Sequence, residues 1–168
     1  MPKERTYEKR PSSCSDKIGK LPMTKPTAKH RALGVLAGKW ITQGTIQATE
    51  HAASLEMRAI DRYEWLPGGF FMLHKVDALI GNIVSQSIEV IGYDPQQACY
   101  DTRSYDDLGT SDGFTARLKG RAWSIDGEKV RFKGAFNEGG SVLAGTWEQR
   151  TDKKRWIPWM DIELRKVT

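Results

Sequence analysis

Cysteine is scarce in this chain, with two among 168 residues, and that scarcity excludes a small disulfide-stapled scaffold. Cys14 stands in a segment without hydrophobic periodicity and Cys99 in a predicted strand. Bonding them would tie a loose end to a packed element for little gain, so both are expected as reduced thiols of a cytoplasmic protein. Cys99 has no cysteine or histidine at metal-ligand spacing and reads as a buried structural residue; no metal is expected. Long apolar runs are missing as well. No stretch approaches the ~20 residues of a membrane span, and the basic N-terminal segment lacks the apolar core of a signal peptide. Phosphate-binding loops, nucleophile elbows and His-Glu-x-x-His pairs are also absent, which leaves no common catalytic signature. Asp106, Asp107 and Asp112 crowd one loop, but without the alternating oxygens and closing glutamate of a calcium loop they read as a solvated turn.

Positive charge is unevenly placed. The formal net charge is +5, yet seven basic against three acidic residues leave +4 of it in residues 1–25. Residues 1–26 mix Lys, Ser, Pro and Arg without periodicity and cannot offset their ordering entropy, so they read as a disordered basic tail. With no aromatic interleaving beyond Tyr7, the tail predicts neither a nucleic-acid nor a membrane partner. Residues 27–168 form one nearly neutral domain, long enough to fold without staples.

What the chain has is aromatic mass and recurrent turns. Six tryptophans, five tyrosines and five phenylalanines supply large apolar rings to strand-compatible segments. Thr27 is a candidate N-cap for a short helix carrying His30, Leu33, Val35 and Leu36, which Gly38 ends. Beyond Gly38 the period changes to two, and about ten strands follow. They are predicted over 39–49, 55–65, 70–78, 84–93, 98–105, 114–119, 121–125, 129–136, 141–149 and 156–167. The reversals carry turn chemistry, as at Leu66-Pro67-Gly68-Gly69, Asp94-Pro95 and Asp126-Gly127. No helical crossover is available for a parallel sheet. Consecutive hairpins without a long return favour an all-β, antiparallel up-and-down barrel with the helix plugging one end. A barrel of that strand number has room for an internal cavity.

Gly38-Lys39-Trp40 with Gly44 resembles the Gly-x-Trp opening of the lipocalin-like (calycin) superfamily. Tyr63-x-Trp65-x-Pro67-Gly68-Gly69-Phe70, Ile91-Gly92-Tyr93-Asp94-Pro95, Gly145-Thr146-Trp147 and the final Trp156-x-Pro158-Trp159 to Glu163-Leu164-Arg165 together resemble the domain of unknown function 1579 family. The resemblance implies a lipocalin-like barrel with a helical plug and no established activity. In calycins such a tryptophan packs over the barrel floor beside a basic residue of the last strand, which assigns Trp40, Gly44 and Arg165 to structure. Nitrobindin-type barrels, which share part of the opening, bind haem through a histidine near the C-terminus. Residues 147–168 contain none, so no cofactor is expected.

Candidate ligand contacts follow from strand phase. His74 shares a face with Phe70, Met72 and Val76, and an imidazole on an apolar face must find a hydrogen-bond partner or stay neutral. Asp161 and Glu163 share one face of the last strand and form a charged wall if that face points inward. Tyr93, Arg103, Tyr105 and Arg117 occupy strands of which one face is interior, and Trp159 completes the set. The leading reading is a non-enzymatic protein binding a small hydrophobic or amphipathic ligand in the barrel interior. Two alternatives stand beside it. One is a cofactor-free isomerase, cyclase or lyase pairing His74 or Tyr93 with Asp161 or Glu163; the other is an oligomeric interaction module, such as a homodimer, with a filled core.

Overall fold

Leu66 N–H donates to the Phe71 carbonyl at 2.9 Å, and between them Gly68 and Gly69 take φ of 95° and 72°, a region that favours glycine. Turns of this kind punctuate a computed structural model that describes residues 25–152 and 154–167. Most of the basic tail, with Cys14, lies outside the described residues. A short helix α1 (Ala28–Ala32) runs into a single 3-10 turn (Leu33–Val35). Ten strands follow: β1 (Gly38–Ile46), β2 (Leu55–Trp65), β3 (Phe71–Ile80), β4 (Ile83–Asp94), β5 (Cys99–Asp106), β6 (Ser111–Lys119), β7 (Ala122–Asp126), β8 (Val130–Phe136), β9 (Val142–Arg150) and β10 (Trp156–Lys166). Each pairs antiparallel with its sequence neighbour, and β10 returns to β1, so the sheet closes and leaves no open edge.

The expected architecture and strand count are those observed, and the differences lie at strand ends. β1 stops at Ile46 rather than Thr49, because Thr49 and Ala52 bridge each other across a separate loop. β5 starts at Cys99, since Ala98 takes φ 52° to close the Asp94 turn. β6 starts three residues early, at Ser111, because Asp106 N–H donates to the Thr110 carbonyl and confines the loop to four residues.

α1 caps one end. Thr27 N–H and Oγ1 both lie within 3.0 Å of His30 Nδ1, and Tyr100 Oη donates to the Lys29 carbonyl at 2.8 Å. Leu33 and Leu36 are thereby driven into the barrel end, where they meet Trp40, Met72, Ile91, Tyr100 and Phe136. Burying each such side chain contributes roughly 1.5–3 kcal/mol. Toward the other end the interior thins to Met57, Ala59, Met160 and partly buried neighbours. One half of the barrel is therefore filled and the other is lined but open.

Glycine sets how closely that lining packs. Gly134 and Gly145 face each other across β8 and β9, and the Phe132 ring lies over both. A Cβ on Gly145 would meet the Lys133 carbonyl at 2.3 Å and Gly134 Cα at 2.5 Å, both backbone atoms. Gly145→Ala is expected to cost at least about 2 kcal/mol; a urea midpoint equal to that of the unaltered protein would contradict this account. Thr102 Oγ1 is buried without a partner among the described residues. Thr102→Val should hold or raise stability by up to about 1 kcal/mol in the same assay, whereas a clear loss would mean that the hydroxyl is satisfied in solution.

Candidate functional site

The pleat of β2 carries Met57, Ala59, Asp61 and Tyr63 to the interior in succession, which puts one carboxylate into an otherwise apolar and aromatic row. Asp61 is 5% exposed. Thr42 Oγ1, from the neighbouring β1, donates to Asp61 Oδ2. His74 Nε2, from β3 on the other side, lies 2.8 Å from Asp61 Oδ1, and His74 Nδ1 lies 3.3 Å from Glu89 Oε2 of β4. The Tyr63 ring stacks on the imidazole, with centroids 3.9 Å apart and planes 8° from parallel. Three adjacent strands thus place a histidine between two carboxylates and under an aromatic face.

A neutral imidazole can donate from one nitrogen only, so its other lone pair would confront a carboxylate. Burial by itself pulls the His74 pKa down, but hydrogen bonds to Asp61 and Glu89, reinforced by their charges, outweigh it and raise the value to about 9. The same site holds the Tyr63 phenol well above its usual range, through burial first and the Asp61 and Glu89 charges second. Tyr63 is 8% exposed, and its hydroxyl has no hydrogen-bond partner among the described residues.

Asp61, Thr42 and Tyr63 face a hollow of about 360 Å³. Its wall is mainly apolar, including Ile46, Val76, Phe132, Trp147, Trp159 and Met160, with Ser85 and Ser87 as the remaining polar groups. Among the described residues no lysine or arginine lines it. Among the described residues no cluster of His, Cys, Asp and Glu is arranged to hold a metal ion.

The candidates from strand phase fall at several places in the barrel, three of them, Tyr93, Arg103 and Tyr105, along one outer groove. His74 stands at the centre of the polar cluster, and Trp159 lines the hollow. Met72 is fully buried, but in the filled half. Tyr93 packs against His30 and Tyr100 near the plug, at centroid distances of 5.6 and 5.5 Å. Arg103 and Tyr105 lie on the outer surface, where with Tyr93, Phe71 and Val90 they border an open groove of about 710 Å³. Arg117 is also outside, 3.5 Å from Asp126.

The charged wall of the last strand points outward. β10 turns Met160, Ile162 and Leu164 inward, with a bulge between Pro158 and Met160 that lets Trp159 reach the hollow as well. Asp161 consequently accepts from Gln47 and Thr146 on the outer surface, at 2.6 and 2.5 Å. Glu163 pairs there with Arg165 at 2.7 Å. The same phase corrects the partner of Trp40. Trp40 is in register with Lys166, whose Nζ sits 4.8 Å from the ring centroid and donates to the Val35 carbonyl at 2.9 Å. Burial lowers the Lys166 pKa. Trp40 itself donates from Nε1 to the Leu36 carbonyl at 2.7 Å and ties plug to barrel, while Gly44 leaves room for Ile162 and Met57.

Asp61 and Glu89 were not singled out from the sequence. The signal for Asp61 was a lone carboxylate in the inward phase of β2, and for Glu89 the shared phase with Ser85, Ser87 and Ile91 in β4.

The family model of proteins of unknown function, DUF1579, matches residues 25–142, a span that includes the whole polar cluster and ends at the start of β9. No curated protein matches the chain. Among solved structures, the crystal structure of Rv2717c from M. tuberculosis is similar with a TM-score of 0.60 at 11% identity, covering 84% of this chain and 99% of that one. At that identity the likeness concerns the fold alone.

Because His74 titrates near 9 when folded and at about 6.5 when unfolded, the folded state keeps a proton that the unfolded state releases. The stabilisation is complete below about pH 6.5 and is lost as pH rises through about 9, amounting to about 3 kcal/mol. Thermal unfolding is expected to fall in midpoint over that window, and His74→Gln should flatten the slope. A flat profile for the unaltered protein would show that His74 is neutral.

Proposed function

Since the chain belongs to the DUF1579 family of proteins of unknown function, membership supplies no activity, and from the site itself we propose that the barrel holds a small apolar or amphipathic molecule in its hollow. The observation that carries this reading is the hollow of about 360 Å³, apolar along its walls and ending on Thr42, Asp61 and Tyr63. Such a volume lies within the range typical of small-molecule sites. An apolar wall rewards burial of the ligand body, and a few polar groups at one place fix its orientation. The hollow also weighs against a filled interaction module.

The acid–base alternative loses two of its four named groups, Asp161 and Glu163, to the outer surface. His74 faces a carboxylate at each nitrogen, so its proton is held rather than offered. Binding is the reading that these contacts favour. We also take the closed barrel with its helical plug as calycin-like, and the buried, unpaired Cys99 thiol as consistent with a cytoplasmic protein.

Nile red, an uncharged dye that brightens in apolar surroundings, tests the hollow directly. The unaltered protein should enhance its emission. Ala59→Trp, which places an indole where Ala59 lines the hollow, should reduce that enhancement at least about fivefold with the circular dichroism spectrum preserved. Equal enhancement by both proteins would move dye binding to the outer surface and remove the support for an internal ligand. Native mass spectrometry of protein purified from cells, set against denaturing spectra, would then give the mass of any resident molecule.

A further inference from the structure

The charge inside the barrel constrains the ligand more tightly than its volume does. The polar cluster sets two carboxyl groups, Asp61 and Glu89, against one imidazole, and among the described residues no basic side chain other than His74 pairs with either. His74 is absent from the wall of the hollow and stands behind Asp61, whereas Asp61 and Tyr63 are on the wall. Among the described residues no basic side chain lines the space. An anionic headgroup reaching the floor would meet the Asp61 carboxylate on the wall, while His74 stands behind it and is shared with Glu89, and desolvating like charges together is strongly unfavourable. A cationic headgroup would meet the reverse. Each oxygen of Asp61 accepts one hydrogen bond, from His74 and from Thr42, and a carboxylate oxygen can accept a second. Tyr63, which lines the same hollow, adds a phenolic oxygen able to accept.

Resting on the reading of the hollow as a ligand site, we propose that its occupant is an amphiphile with a positively charged amine, the ammonium docking on Asp61 and Tyr63 and the apolar body lying among Val76, Phe132 and Trp147. Carboxylate lipids are selected against by the same geometry. Thr42 and His74 serve as positioning residues, holding the Asp61 carboxylate in one orientation.

Decylamine, decanol and decanoate share a chain and differ in headgroup charge, so calorimetric titration of the three at pH 7 separates charge from burial. Decylamine should bind at least about tenfold more tightly than decanoate, with decanol between them. Asp61→Asn should bring amine and alcohol to within about twofold of each other. Because that variant also removes a partner of His74, Ser85→Lys provides an independent arm. It adds a cation to the wall four residues from Glu89 along β4 and should reverse the order, with decanoate now tighter than decylamine. Decanoate equal to or tighter than decylamine in the unaltered protein would overturn the charge assignment and leave the ligand site standing. Failure of all three to bind would overturn both readings.

Discussion

Closure of the sheet is the constraint from which the rest follows. Ten strands, each hydrogen-bonded to two neighbours, enclose a circumference wider than the eight-stranded barrels whose side chains just fill them. The interior must then be plugged, packed with large rings, or left open. This chain does all three along its axis. The 3-10 turn delivers Leu33 and Leu36 into one end, Trp40, Tyr100, Trp123, Phe132 and Phe136 fill the space beneath them, and beyond those rings the smaller cluster of Met57, Ala59 and Met160 borders the hollow. Trp40 joins the levels, with its indole N–H on the plug at the Leu36 carbonyl and Lys166 of the closing strand over its ring.

Strand number, antiparallel hairpins and the plug were legible in the sequence because each rests on local chemistry. A proline, a glycine pair or an Asp-Gly step reverses the chain wherever it stands, and a change of period at Gly38 needs no knowledge of the partner strand. Interior placement was less accessible. His74 could be assigned inward because Met72 and Val76 flank it in phase, yet Asp61 sits in a row of the same kind, among Met57, Ala59 and Tyr63, and only the pairing of β2 with β3 brings it to His74. In the last strand Asp161, Glu163 and Arg165 alternate as cleanly as any inward set. Their direction is settled by the register of Ile162 and Leu164 against Gly44 and Thr42, which no single strand encodes. The bulge after Pro158 then carries Trp159 inward beside Met160, two adjacent residues that strict alternation would separate.

The polar cluster is costly for a core. Two carboxylates and an imidazolium lose most of their hydration in the barrel, and their attraction returns that loss only with good geometry and further hydrogen bonds. Apolar residues of similar size at positions 61, 74 and 89 would pack against Tyr63 and Val76 at least as favourably, because exchanging a buried ionic group for well-packed side chains is often neutral or stabilising. Packing therefore does not account for the cluster, and neither does closure, since the backbone ladders of β2, β3 and β4 run past it regardless of the side chains they carry.

Position offers the better account. The cluster stands where the filled half of the barrel gives way to the hollow, and of its groups Thr42, Asp61 and Tyr63 face the empty side, while His74 stands behind them and hydrogen-bonds the Asp61 carboxylate, with Glu89 at its other nitrogen. A salt bridge built only for rigidity would gain from being sealed among its partners. Here Asp61 and Tyr63 line the open space, and the imidazole that balances the carboxylate is withdrawn from it. That asymmetry gives an otherwise apolar chamber a direction and a sign, which are the two properties a barrel needs to tell one amphiphile from another.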